Sequence, residues 1–417
     1  MKIVHKNLIA AVLLSALLFS CSRQKKDIVI LTDQEAVASY VELFNSSQNE
    51  YRAIIEYQSN PSKAFDNPVE NMPDIILGPW LKNEKLRKNF LSLDYLFNDK
   101  RLNTKDFYRQ LLELGNIKGH QYLLPVSFNL PLVLFSQKNN SLMPDDFMLS
   151  IDQIKQLGQD YNKQNNKGVF TAMGFSPRWD SDFIYTVSKL FNTNYAENPS
   201  LFSYNSNAMD QTIEYIKDWS ITTNTSTEAE DDFKFKYLYN PSYKLITTGR
   251  CLFCYTKSNE LFSLSNDRLQ NIDFRWIHYN NMIAVQDKIN YIGIYRKSKN
   301  RDAAQSFILW LLKEENQKLM LNRQEKMNLT NKAFGIAGGF SSLKSVNEKY
   351  FPLHYPILYG HLPTAENLLP PNILPSNWEE IKKRAILPYL TEMTSNEDTN
   401  NVVSLEIRTK ELLKQIY

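Results

Sequence analysis

From Asp27 onward, short apolar runs alternate with amphipathic ones, and the alternation predicts a βαβ opening. Asp27 to Leu31 (Asp-Ile-Val-Ile-Leu) is apolar and β-branched after its first residue, as a buried parallel strand requires. Thr32 and Glu35 stand at capping-box spacing. Val37, Tyr40, Val41 and Phe44 then recur on one helical face. A second strand is expected at Arg52 to Gln58, and a third at Asp74-Ile75-Ile76-Leu77, stopped by Gly78-Pro79. Strand, helix, strand, turn, strand is the order of a doubly wound sheet, so the fold class is α/β.

Further along, Gly119 to Phe135 is apolar but carries Pro125 and Pro131, and reads as an extended segment running out of one domain. A helix-rich, aromatic region comes next, in which the acidic stretch Glu228 to Asp232 reads as a solvated loop. Leu245 to Tyr255 reads as a turn and a buried strand. Asn290 to Asn300 reads as a strand and polar turn, with Asn300 placed to cap a helix whose apolar face is Ala304, Phe307, Ile308, Leu311 and Leu312. Six prolines between 352 and 377 exclude a long regular element there. Helical patterning returns at Trp378 to Met393 and Val402 to Ile416.

The first residues change the picture. Lys2 and Lys6 precede an apolar run from Leu8 to Phe19, too short for a stable membrane span, which ends at Leu18-Phe19-Ser20-Cys21. This reads as a secretory signal over 1–20, and its end resembles a lipobox with Cys21 as the lipidated residue. Phe19 is bulkier than that pattern usually has. The alternative is a plain signal with an incidental thiol. Residues 21–26 would be a lipid-anchored linker, so membrane attachment would need no transmembrane helix. The rest of the 417 residues is long enough for two domains. Hydrophobic content of 43% and charged content of 22% are those of a globular chain. The formal net charge is +3, two charges of which belong to the leader, and such balance argues against nucleic acid as a partner.

Cys251-Leu252-Phe253-Cys254 has no second ligand pair for zinc. Two core thiols, a disulfide and a metal site are the readings, in that order, and no metal is assigned. No Gly-x-Ser-x-Gly elbow accompanies His120, His278, His354 or His361, and no phosphate loop is present, so no catalytic residue is assigned. Carboxylate pairs distant in sequence remain open as a glycosidase alternative.

Four segments taken in order resemble the extracellular solute-binding proteins of ABC importers, in the class that includes maltose-binding protein. They are the opening strand and helix ending in Leu43-Phe44-Asn45; Met72-Pro73-Asp74-Ile75-Ile76; Gly119 to Phe135; and Ser298-Lys299-Asn300 with Ala303-Ala304, Phe307, Trp310-Leu311 and Glu315-Asn316-Gln317. Thr248-Gly249-Arg250 also fits. Asn290-Tyr291 depart from the paired glycines common there, which leaves ligand contacts in that stretch open. The resemblance implies two α/β domains with a ligand cleft between them, 27–135 plus 289–337 and 136–288 plus 338–417. Crossovers are expected near Leu134, Ile289 and Ala337.

Under that resemblance the candidate ligand-binding residues are Asp33, Trp80, Phe128, Asn129, Trp179, Asp180, Tyr255, Asn259 and Tyr291. An indole offers a broad apolar face for a sugar ring, and carboxylates and amides suit hydroxyls. Each has a structural alternative: helix-dipole complementarity for Asp33, core or crossover packing for the aromatic residues. The implied function is a lipid-anchored, extracytoplasmic, monomeric, non-enzymatic receptor delivering a small ligand, a sugar first, to importer permease subunits without a cofactor. An exported carbohydrate-active enzyme and a sensory or interaction lipoprotein are the alternatives.

Overall fold

The computed structural model describes residues 25–66, 72–199, 201–328, 333–395 and 399–416; the expected signal and Cys21 lie outside them. In chain order the principal strands are β1 (Lys26–Thr32), β2 (Tyr51–Tyr57), β3 (Ile75–Gly78), β4 (Leu124–Phe128), β5 (Pro131–Ser136), β6 (Met148–Ser150), β7 (Cys254–Lys257), β8 (Ile272–His278), β9 (Asn290–Ile294) and β10 (Phe340–Ser341). The helices that pack on the sheets and flank the cleft are α1 (Val37–Ser47), α2 (Ser181–Leu190), α3 (Ser206–Asn224), α4 (Thr227–Tyr237), α5 (Arg301–Leu311) and α6 (Trp378–Ile381).

Two sheets organise these elements. The first runs β10-β4-β9-β3-β1-β2 and the second β7-β5-β8-β6. In the first, β1 pairs in parallel with β2 and β3, placing Ile30 between Ile55 and Ile75. The apolar run of β1 and the fully buried β3 are the centre that the sequence pattern demands. Helices α1 and α5 cover one face, where the Phe44 and Phe307 rings meet edge-on at 5.2 Å. Asp74 joins two of the segments that carry the family resemblance, accepting from the Val29 amide (3.0 Å) and the Ser298 hydroxyl (2.5 Å). Phe175, Phe183 and Trp219 pack together in the second domain.

Several local expectations change. Thr32 and Glu35 form no capping box: α1 starts at Val37 without a side-chain cap, and the Thr32 hydroxyl accepts from the Gln34 amide instead. Asn300 occupies the cap position of α5, but its amide turns toward Asp74. Glu228 to Asp232 lie in helix α4, capped by Ser226; Glu230 is buried and accepts from Asn224 (2.7 Å). Leu245 and Ile246 belong to a short helix, Ser242–Thr247, so the strand expected there begins only at Cys254. Pro125 sits inside β4, beside a register shift opposite Asn290 and Tyr291; a bulge is where an interior strand tolerates proline.

The sheets also place the crossovers. Only Asn129 and Leu130 separate β4 in the first sheet from β5 in the second, so the chain crosses before Pro131 rather than at Leu134. It returns between β8 and β9. After Ala337 it stays with the first sheet through β10, because Phe340 packs on Phe128 and Phe351. By Leu368–Leu369 it is paired beside Ile283–Ala284.

Candidate functional site

The cleft between the sheets holds a cavity of about 270 Å3. Gln34, Trp80, Asn290, Ala337 and Gly338 line it from the first domain. Lys257, Asn259, Glu260, Glu379 and Lys382 line it from the second. Asn129 and Gln286 to Lys288 stand at the crossovers. The strand ends deliver these residues: Trp80 comes just after β3, Lys257 ends β7 and Asn290 opens β9.

Trp80 has a positive φ of 63°, a left-handed conformation that a bulky residue rarely adopts. The turn carries its indole away from its own sheet into the apolar cluster of the second domain, with Phe135, Leu374 and Trp378, leaving it 8% exposed. Asn129 clamps the crossovers. Its Nδ2 donates to the Gly338 carbonyl (2.9 Å), its Oδ1 accepts from the Ser258 hydroxyl (2.7 Å), and its carbonyl accepts from the Gln286 amide (2.9 Å). Gly338 holds φ +78°, and a Cβ on Gly339 would lie 2.5 Å from the Phe128 carbonyl oxygen, so this turn needs both glycines. Asn290 donates to Ser127 Oγ (3.0 Å) and the Ala337 carbonyl (2.8 Å).

The opposite wall is built from ion pairs. Asp182, in α2, takes Lys257 Nζ at 2.5 Å and Lys382 Nζ at 2.6 Å on its two oxygens. Burial raises its pKa, but the two ammonium groups outweigh that and hold it below the usual carboxylate value. Asp287 is deeper. It takes Lys189 Nζ at 2.5 Å and accepts from the Tyr185 hydroxyl (2.7 Å) and Trp378 Nε1 (3.1 Å). Burial opposes its charge, yet Lys189 and Lys382 bring its pKa to about 2. Lys82, two residues after Trp80, is 4% exposed, with its ammonium 4.7 Å from the centre of the Tyr291 ring. Burial lowers its pKa to about 7, against the attraction of Asp287.

Of the residues singled out in the sequence, Trp80, Asn129 and Asn259 line the cavity together. Asp33 lies just behind it, bound to the side-chain amide of Gln34 (2.6 Å) and paired with Lys288 (3.5 Å). Trp179, Asp180 and Tyr255 line a separate pocket of about 80 Å3 with Cys251 and Cys254. There Asp180 caps α2 through the Asp182 amide, and the Tyr255 hydroxyl meets Thr186. Phe128 and Tyr291 are in the core, Phe128 against Tyr108 and Tyr291 with its hydroxyl on the Leu111 carbonyl (2.7 Å). The two cysteines are free thiols, Cys251 buried and Cys254 half-buried. No cluster of three or more metal-ligating side chains occurs among the described residues.

The sequence reading missed Gln34, Lys257, Gln286, Asp287, Lys288, Asn290 and Lys382. A signal existed for some of them: Gln286-Asp287-Lys288 is a polar run just before a predicted strand and beside a predicted crossover. Lys382 has no local signal, since its partner Asp182 lies far away in the chain.

No family model matches the sequence, and no curated protein matches it. Solved structures do match. The sugar-binding protein MalE of Xanthomonas citri superposes with a TM-score of 0.68 at 11% identity, over 94% of this chain and 96% of that one. The fold is that of an ABC solute-binding protein. Two further structures with this binding-protein fold each cover 94% of this chain and 98% of their own at 14% identity. One is an ABC substrate-binding protein of Listeria monocytogenes in complex with cycloalternan, at a TM-score of 0.60. The other is the cyclic alpha-maltosyl-1,6-maltose binding protein of Arthrobacter globiformis, at 0.61. Trp80, Asn129 and Asn259 meet in the cavity between the two sheets.

Proposed function

We propose that this chain is an extracytoplasmic solute receptor that closes on a neutral sugar or oligosaccharide and delivers it to an ABC importer, anchored through a lipidated Cys21. The observation that carries the reading is the chemistry of the cleft. One indole is accompanied by five side-chain amides (Gln34, Asn129, Asn259, Gln286 and Asn290), while the lysines of the wall are drawn onto Asp182, Asp287 and Asp33. Amides donate and accept, as hydroxyls do, and an indole face covers the apolar side of a pyranose. The related fold of proteins solved with cycloalternan or mannotriose bound, and of one named for binding cyclic maltosyl-maltose, supports the same class of ligand. Trp80 reaches from one domain into the other, so a ligand seated under it touches both walls and favours the closed arrangement.

The test is a thermal-shift and calorimetric titration of the chain from Ser22 onward, which retains every described residue, against neutral mono- and oligosaccharides. At 100 times its dissociation constant a ligand should stabilise the native state by about 2.7 kcal/mol. Trp80→Ala should weaken that binding by tenfold or more, whereas Trp179→Ala, altered in the separate pocket, should leave it unchanged. A blank panel, or equal effects of the two substitutions, would refute the reading.

A further inference from the structure

A surface outside the cleft sets exposed apolar side chains beside cations. From Phe233 to Arg250 the chain carries Lys234, Lys236, Lys244 and Arg250 and no acidic residue, interleaved with Phe233, Phe235, Tyr237, Tyr239 and Tyr243. The acids of α4 are confined to its first half, Glu228 to Asp232. Phe233 faces inward against Trp179, and the Lys234 ammonium is tied to the Trp179 carbonyl (2.7 Å), which fixes the end of the helix on the second domain. Just beyond Lys234 three large apolar side chains turn outward, Phe235 at 81% exposed, Leu238 at 50% and Tyr239 at 94%, before Leu245 and Ile246 return to the core. Lys236 and Arg250 flank the Tyr237 ring at 5.3 and 5.6 Å, so basic groups border the apolar ones.

We propose that this face rests on a bilayer surface carrying anionic headgroups, with Phe235, Leu238 and Tyr239 entering the interface and Lys236, Lys244 and Arg250 meeting the phosphates. Adjacent large apolar side chains, exposed and bordered by cations, have the composition of an interfacial anchor. The partner is argued from charge. A basic stretch without acids is attracted to an anionic leaflet, with each lysine adding its own increment. Such a contact would orient the body of a lipid-anchored receptor, and it is independent of what the cleft binds.

Flotation of the chain from Ser22 onward with vesicles tests it, because this form has no acyl chain to mask a weak contact. Binding is expected to vesicles of equal parts phosphatidylcholine and phosphatidylglycerol, to be weak on phosphatidylcholine alone, and to fall as salt is raised. Lys236→Glu with Lys244→Glu should lower partitioning by roughly thirtyfold or more. Phe235→Ser with Tyr239→Ser should lower it on both vesicle types. All four side chains are exposed, so melting temperature should be unchanged and serves as the folding control. Absence of binding to anionic vesicles, or binding that survives both pairs of substitutions, would overturn the proposal. So would binding to importer membrane subunits in detergent, lost in the same variants, with no vesicle binding; that result would assign the face to a protein partner.

Discussion

The two walls of the cleft are made of different materials. The first-domain wall is neutral: an indole, two amides and a glycine turn, held by hydrogen bonds among Asn290, Ser127, Asn129 and the carbonyls of Ala337 and Gly338. The second-domain wall is ionic: Asp182 bridges two lysines, and Asp287 holds Lys189 with two further hydrogen-bond donors, Tyr185 and Trp378, oriented around it. The difference separates charges that are already paired within the protein from amides that line the cavity, as the proposed sugar reading requires. Buried charges that neutralise each other fix the positions of α2, α6 and the crossover before β9, and on the proposed reading the amides are left to meet hydroxyls.

If the ionic wall is structural, breaking it should cost more than any change in the neutral wall. Asp287→Asn leaves Lys189 buried without a counter-charge, and should destabilise the protein by about 3–5 kcal/mol, read by chemical denaturation. The pH profile gives a second check. Asp287 is held at about 2 against an ordinary value of 3.8, so its contribution is fully present above 3.8 and is lost as pH falls through 2. The wild type should lose stability across that window, and the variant should lack this segment of the acid limb. A variant as stable as wild type would mean that the wall is ornamental.

This contrast explains how much of the molecule was legible in the chain. β1, β3 and α1 were legible because their apolar runs and helical spacing are local, and Trp80 and Asn129 were legible because they stand at a strand end and a crossover. The ionic wall was not legible, because Asp182, Lys257 and Lys382 come from three distant segments and only the fold brings them together. Trp179 and Asp180 were misplaced for the opposite reason. An aromatic beside a carboxylate after a proline looks like a binding loop, yet here Asp180 caps α2 and Trp179 packs on Phe233. The acidic run at Glu228 hid a helix that its Ser226 cap announced.

The neutral wall should break more gently. Asn129→Ala removes the acceptor of the Ser258 hydroxyl and the donor to the Gly338 carbonyl, which join the two domains at the crossover. Leaving those groups unpaired should cost about 2 kcal/mol. The sharper expectation is that ligand affinity falls with it, because the Gly338 turn lines the cavity. Calorimetry of the Asn129→Ala variant at a temperature where it is fully folded separates the two effects. Unchanged affinity would reduce Asn129 to a strut.

Lys82 crosses the divide, a cation behind the neutral wall whose ammonium lies over the Tyr291 ring. Its pKa of about 7, against an ordinary 10.5, means that the unfolded chain holds a proton that the native state releases between those values. The unfolded state therefore binds more protons across that window, so this residue makes stability rise as pH goes from 7 to 10.5 and adds no slope below 7. Lys82→Met keeps the length of the side chain and removes the buried charge. It should stabilise the protein at neutral pH by about 1–2 kcal/mol, the gain being offset in part by the lost cation–π contact. The alkaline slope should flatten in the same variant. If Lys82→Met instead destabilises, the ammonium is bound more strongly than its burial implies, and Asp287, the anion that acts on it, serves both walls of the cleft.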